Sequence, residues 1–307
     1  MTGILLINMG GATSRKEMKV FLSRMFRDAY ILPVDKLDRY LLSFIISNLR
    51  YKKSWKKYEL IGGTPIISAT QKTMNALQNE LPDTFLVKMA FSYTTPLISE
   101  SLISFYNAGI KEVTVIPLYP QASYSTTSSA ISDSNKVLSY LPGLKLHFIK
   151  EFYSHEGFIK FWAKNIHDHI VVNNYERPYL VFSAHSIPKY LLKKGDTYPS
   201  AIEESSRLIA QKLDLDYEYA YQSGMKKGDW VGPDVKDRLK VLASAGKSEI
   251  VLIPISFVNE NLETLYDMDM DIIPFGKNEL GIKKISRVRI AEADPLFIQL
   301  LTDIIRN

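Results

Sequence analysis

Short runs of aliphatic and β-branched residues recur along the chain, each followed by a longer stretch whose apolar positions return every three to four residues. Strands are predicted at residues 4–8, 86–91, 112–117, 145–148, 179–183, 217–221 and 249–254. Helices are predicted at residues 16–25, 70–80, 96–108, 158–170, 201–213 and 234–245. Runs such as Ile4-Leu-Leu-Ile7 and Ile250-Val-Leu-Ile253 are apolar at consecutive positions, as parallel strands covered on both faces require. Alternation of such strands with helices predicts an α/β fold with parallel sheets flanked by helices.

One internal similarity divides the chain. The segments Ala108-Gly-Ile-Lys-Glu-Val-Thr-Val-Ile-Pro-Leu118 and Ala245-Gly-Lys-Ser-Glu-Ile-Val-Leu-Ile-Pro-Ile255 agree in register at Ala, Gly, Glu, Ile and Pro. Each reads as a helix ending on glycine, then a buried strand ending in proline. Two lobes of related design, each with its own sheet, are therefore expected, spanning residues 1–155 and 156–307. Ligands of open α/β sheets bind beyond the carboxyl ends of strands. That rule singles out the loops at residues 8–14, 119–128, 183–188, 222–233 and 256–263.

Composition narrows the chemistry. Cysteine is absent from the 307 residues, which excludes disulfides, thiolate nucleophiles and cysteine-held clusters. No apolar stretch reaches the roughly 18 residues of a spanning helix. The N-terminus enters a strand without a basic leader, so a cytoplasmic location is expected. The net charge of +5 suits anionic small molecules, anionic lipid or nucleic acid, but no nucleic-acid motif is present and none is expected as partner. Lys52, Lys53, Lys56 and Lys57 surround Trp55 and Tyr58, directly after an apolar run at residues 40–49.

Among five histidines, His147, His155, His167 and His169 read as structural or surface residues; His167 and His169 are two apart on a helix and face apart. His185 follows the buried strand 179–183 in Ser183-Ala-His-Ser-Ile-Pro188, where an imidazole can accept a proton or ligate a divalent metal. Downstream, Glu263, Asp267 and Asp271 are spaced i, i+4, i+8 and form an acidic stripe on a helix. Such a stripe either passes cations or protons along, or is a solvated face. Gly10-Gly11 and Gly62-Gly63 lack the spacing of nucleotide loops, and no GxSxG or HExxH is found.

Taken together and in order, several segments resemble the ferrochelatase family over nearly the whole chain. They are Leu5-Leu-Ile-Asn-Met-Gly-Gly11, Tyr58-Glu-Leu-Ile-Gly-Gly-Thr-Pro65, Tyr119-Pro-Gln-Ala-Ser-Tyr-Ser-Thr-Thr127, Phe182-Ser-Ala-His-Ser-Ile-Pro188, Gly195-Asp-Thr-Tyr-Pro199, Tyr221-Gln-Ser223, Trp230-Val-Gly-Pro233 and residues 254–271. The resemblance implies two Rossmann-like lobes of a chelatase-like fold with a porphyrin cleft between them, and insertion of Fe(2+) into protoporphyrin IX, with porphyrin and ferrous iron as substrates. No permanently bound cofactor and no iron–sulfur cluster are implied. His185 matches the active-site histidine, and Glu263 the glutamate of a His-x-Glu-Thr motif; both are the metal-side candidates. Met9 falls where protoporphyrin-type enzymes carry methionine over the ring. Tyr58, Thr64, Ser123 and Trp230 match porphyrin contacts, and Arg50 a propionate-binding arginine.

The chain departs from the family pattern at Asn261, which replaces the motif histidine, and at Ser92 and Ala122, where many members carry arginine and tyrosine. The loop at Gly62-Gly63-Thr64 is one residue short. Within the resemblance, coproporphyrin III as substrate, or a non-catalytic porphyrin carrier, are the alternatives. The apolar run and lysines of residues 37–57 match the family's lip over the porphyrin entrance, and imply peripheral contact with membrane lipid on the inner face of the cell membrane.

Overall fold

The computed structural model describes residues 1–224 and 228–306; residues 225–227, inside the predicted loop 222–233, and Asn307, at the end of the predicted second lobe, lie outside them. The chain runs β1 (Thr2–Asn8), α1 (Arg15–Arg27), α2 (Lys36–Leu60), α3 (Ile66–Glu80), β2 (Phe85–Phe91), α4 (Ile98–Asn107), β3 (Glu112–Pro117), α5 (Ser129–Leu138), β4 (Lys145–Phe148) and α6 (Glu156–Val172). It continues through β5 (Tyr179–His185), α7 (Tyr198–Leu213), β6 (Tyr217–Gln222), α8 (Val235–Ser244), β7 (Glu249–Ile253), β8 (Lys284–Arg287) and α9 (Pro295–Arg306). Two π-helical stretches matter below, Tyr124–Ser128 and Glu263–Ile272.

Two compact units result. The first comprises Met1–Glu151 and Glu292–Asn307, the second Phe152–Ala291. The boundary thus falls near the expected 155, but the tail expected in the second lobe belongs to the first. The reason is α9, whose Phe297, Leu300 and Leu301 are buried and which packs on α3. A terminal amphipathic helix goes where its apolar stripe is covered, and no local pattern states which unit that is.

Each unit holds one four-stranded parallel sheet. The orders are β2-β1-β3-β4 and β6-β5-β7-β8, the same topology twice. The central strands β1 and β5 are buried at nearly every position, which explains their continuous apolar runs. In the first unit Leu5, Ile7, Leu102, Phe105, Val113 and Val115 share one core. In the second, Val181, Leu239, Ile250, Leu252 and Met268 share another. Each such side chain contributes about 1.5–3 kcal/mol by burial.

The internal repeat is a repeated turn. At the end of α4, Ile110 N–H donates to Phe105 O at 3.1 Å and Gly109 N–H to Tyr106 O at 3.0 Å; at the end of α8, Lys247 N–H donates to Leu242 O and Gly246 N–H to Ala243 O, both at 3.0 Å. Gly109 and Gly246 both sit at φ +76°, where a side chain is strained. The same Schellman turn therefore delivers β3 and β7 into their sheets.

Two of the structural histidines have defined posts. His155 caps α6, its Nδ1 accepting from Gly157 N–H at 3.0 Å. His169 lies 2.7 Å from Ser286 Oγ, which also meets Tyr175 OH at 2.7 Å. Burial first, and then the charges of Arg287 and Arg289, hold the His169 pKa below its usual value. As pH falls through about 6.5, the unfolded chain takes up a proton that the folded chain resists. His169 therefore contributes stability that is present above that pH and lost below it. In His169→Gln the fall in urea midpoint between pH 7 and pH 5 should be smaller than in the wild type.

Candidate functional site

In the second unit the chain leaves β5, builds β6 on one side and β7 on the other, so the strand order reverses between β5 and β7. The crevice beyond such strand ends is the binding position of open α/β sheets. His185 closes β5, and the segment that follows β7 leads to Glu263, so both metal-side candidates issue from the two strands flanking the reversal. Ser256 joins them, its Oγ accepting from His185 N–H at 3.2 Å.

His185 is held in one tautomer. Its Nδ1 lies 2.7 Å from the carbonyl of Ser186. A carbonyl only accepts, so Nδ1 carries the hydrogen and Nε2 is the acceptor nitrogen of the neutral ring. The loop beyond it is strapped down: Ser186 Oγ donates to Val231 O at 2.7 Å, Val231 N–H to Ile187 O at 2.9 Å, and Lys189 N–H to Asp229 O at 2.8 Å. These bonds carry the Pro188–Trp230 bridge, so Trp230 and His185 lie in one braced loop pair.

Tyr198 was missed as a functional position, although its motif is legible at residues 195–199. Its OH donates to His185 O at 3.1 Å, and burial pushes the phenol well above its usual range. It is a neutral donor that fixes the backbone under the imidazole.

Glu263 opens the π-helix Glu263–Ile272 and is half-buried. Its neighbours explain Asn261. Asn261 Oδ1 accepts from Thr264 N–H at 2.9 Å, while Thr264 Oγ1 accepts from Asn261 N–H at 3.0 Å. This is a reciprocal cap of the helix start, made by a buried side chain. The acidic stripe is not uniform: Asp267 accepts from Ser223 Oγ at 2.7 Å, and Asp271 pairs with Lys236 Nζ at 2.7 Å. At its outer end the Asp271 carboxylate is offset by that lysine.

In the first unit the corresponding reversal lies between β1 and β3, and Met9 and Ser123 follow those strands. Met9 O accepts from Tyr93 N–H at 3.2 Å and Asn8 Oδ1 accepts from Met9 N–H at 2.8 Å. A Cβ at Gly11 would stand 2.3 Å from Thr64 Oγ1, so glycine there is what lets Thr64 close on the Met9 loop. Tyr58 is buried at the end of α2, its carbonyl accepting from Gly63 N–H at 2.7 Å. Ser123 is buried and caps the π-helical turn Tyr124–Ser128. Arg50 is exposed on α2, its guanidinium 5.9 Å from the Phe26 ring centre. Ala122 lines a groove of about 660 Å³ with Tyr30, Thr127, Ile131, Lys136 and Lys150. Ser92 hydrogen-bonds Tyr119, a phenol that burial drives well above its usual range.

A pair of four-stranded parallel sheets of identical order, with candidate residues at both reversals, defines a chelatase-type α/β fold. Two solved structures share it: the sirohydrochlorin chelatase SirB from Bacillus subtilis subspecies spizizenii in complex with cobalt, with a TM-score of 0.60 at 10% identity over 99% of this chain and 94% of that one, and SirB from Bacillus subtilis with Fe3+, with a TM-score of 0.60 at 12% identity over 98% of this chain and 94% of that one. The sequence then places the chain more closely. The ferrochelatase family model matches residues 1–307, and the ferrochelatases of Aquifex aeolicus (36% identical over 99% of this chain and 98% of the relative) and Geotalea daltonii (32% identical over 100% and 97%) are similar throughout. The chain belongs to the ferrochelatase family, enzymes that insert a metal ion into a porphyrin.

The cap at Asn261 generates a stability prediction. Asn261→Ala should cost about 1 kcal/mol, read as a lower urea midpoint at unchanged slope, and Asn261→Ser, which keeps an acceptor, should recover most of it.

Proposed function

We propose that this chain inserts Fe(2+) into protoporphyrin IX to form protohaem, with His185 and Glu263 as the metal-side pair and no resident cofactor. The carrying observation is the His185 tautomer: Nδ1–H is committed to Ser186 O, so Nε2 presents its lone pair at the β5 end. Insertion replaces two pyrrole protons with one ferrous ion. A neutral imidazole either accepts such a proton or ligates the iron, and the Glu263 carboxylate offsets the positive charge that develops.

Met9, Tyr58, Thr64, Ser123 and Trp230 are assigned to the ring and Arg50 to a propionate. Met9 supports protoporphyrin over coproporphyrin III, because a thioether packs on an apolar face without asking for a hydrogen bond. Steady-state insertion into the two porphyrins tests the substrate, protoporphyrin being expected to give the higher kcat/KM. His185→Ala should remain folded and bind porphyrin while insertion falls at least a hundredfold, the upper part of the range for general acid–base groups, about 10²–10⁴. Glu263→Gln should depress turnover far more than Asp271→Asn, since Asp271 is already paired with Lys236. Equal losses would remove the special role of Glu263.

We further propose that α2 docks on anionic membrane, which would deliver the sparingly soluble porphyrin directly. No helix among the described residues is long and apolar enough to cross a membrane. The polarity of α2 is inverted: Ser43 and Ser47 are buried, their hydroxyls satisfied by Tyr40 O and Phe44 O, while Leu37 is 85% and Leu41 and Phe44 are each 60% exposed. Lys52, Lys53, Lys56 and Lys57 follow, each worth about 1 kcal/mol near an anionic surface. Wild type should float with anionic liposomes at low salt, and the double variant Leu41→Ser, Phe44→Ser should remain folded and stay in solution.

A further inference from the structure

Resting on the assignment of Glu263 above, we infer that Arg287 is a positioning residue for metal insertion, a strut that holds the Glu263 π-helix from the edge strand β8. π-Helical segments are rare and usually short, yet this one spans the ten residues Glu263–Ile272. Its backbone alone does not select that geometry over an α-helix. Something outside must hold it.

Arg287 does so at two points. Its Nε and one terminal nitrogen donate to the two oxygens of Asp269 at 2.7 and 2.9 Å, within the π-helix. Its other terminal nitrogen donates to Glu260 Oε1 at 2.8 Å, just ahead of the helix. Glu263 lies between the two held positions. Glu260 passes the constraint on: its Oε2 accepts from Thr264 Oγ1, and Thr264 is the residue engaged in the reciprocal cap with Asn261. Ile290 N–H also donates to Glu260 Oε1, at 2.9 Å.

The arrangement costs desolvation, since the Arg287 side chain is 1% exposed and its partners 14% and 20%. Buried ion networks are poor sources of net stability. A planar, bidentate fork is instead well suited to fixing geometry. Lysine would keep the charge but, as a point donor, would not span both carboxylates.

The test is a double-mutant cycle on the full chain, with ferrous insertion followed by steady-state kinetics and folding by near-ultraviolet dichroism and thermal midpoint. Arg287→Lys should lower kcat roughly tenfold or more, within the range for residues that orient metal-site groups, and leave KM for porphyrin unchanged. In a Glu263→Gln background, or Glu263→Asp should turnover fall below detection, Arg287→Lys should cause no further loss, because the guanidinium acts through that carboxylate. If Arg287→Lys fails to fold, Asp269→Asn, which removes one arm, enters the same cycle with the same expectation. Losses that multiply would overturn the role of Arg287 alone. Unchanged turnover in Glu263→Gln by itself would overturn the assignment of Glu263, and the strut with it.

Discussion

Parallel pairing is the constraint on which the rest of the molecule depends. Two parallel neighbours cannot be joined by a tight turn, so each connection travels a helix's length and returns over a face of the sheet. Both faces are thereby covered, the central strands β1 and β5 are apolar over most of their length, and polar chemistry gathers toward the strand ends. Within each unit the chain reverses direction across the sheet between the first strand and the third. There the loops diverge and backbone groups are left for a ligand. Met9, Ser123 and His185 stand at or just beyond those ends, whereas Arg50 and Tyr58 lie on α2 and Thr64 just after it.

The same topology occurs twice with different chemistry. At the reversal of the first unit, the loops present methionine, glycine and hydroxyl groups, with Gly11 permitting the close approach of Thr64. At that of the second unit they present an imidazole and a carboxylate. The second loop set is tied through Ser186, Val231, Tyr198 and Ser256 around His185. That bracing suits the proposed reaction. A ring contact tolerates small shifts of a side chain, whereas a proton acceptor does not, since hydrogen-bond reach spans only a few tenths of an ångström.

Much of this was legible in the pattern of residues. Seven of the eight strands among the described residues were visible because buried parallel strands are apolar at consecutive positions. β8, with the sequence Lys-Ile-Ser-Arg, was not: it is an edge strand of four residues, and half its positions are polar for reasons found elsewhere in the unit. Ser286 serves His169 and Tyr175, and Arg287 serves Glu260 and Asp269. The unit that α9 joins was not legible, because its partner α3 lies more than two hundred residues earlier. His185 stood out from its place after a buried strand, but its tautomer depends on a carbonyl one residue on, which no residue type records. α2 was read for its apolar run and its lysines; that its serines turn inward is a property of packing against α1.

Asn261 is a departure from the motif whose structural role the sequence does not show. It stands where the resemblance implies a histidine. In the structure, a short amide supplies the acceptor that the first exposed N–H groups of a helix require, and Thr264 returns the bond to Asn261 N–H. Those two residues bracket Glu263, and Thr264 also engages Glu260, the carboxylate held by Arg287. With asparagine at this position the start of the Glu263 helix is held by contacts that fix geometry rather than transfer protons. In the proposed reaction Nε2 of His185 is the acceptor and the Glu263 carboxylate offsets charge, so no proton-relay role is assigned to position 261. On that proposal the motif separates into one position assigned to chemistry and one that holds the backbone, and asparagine serves the second.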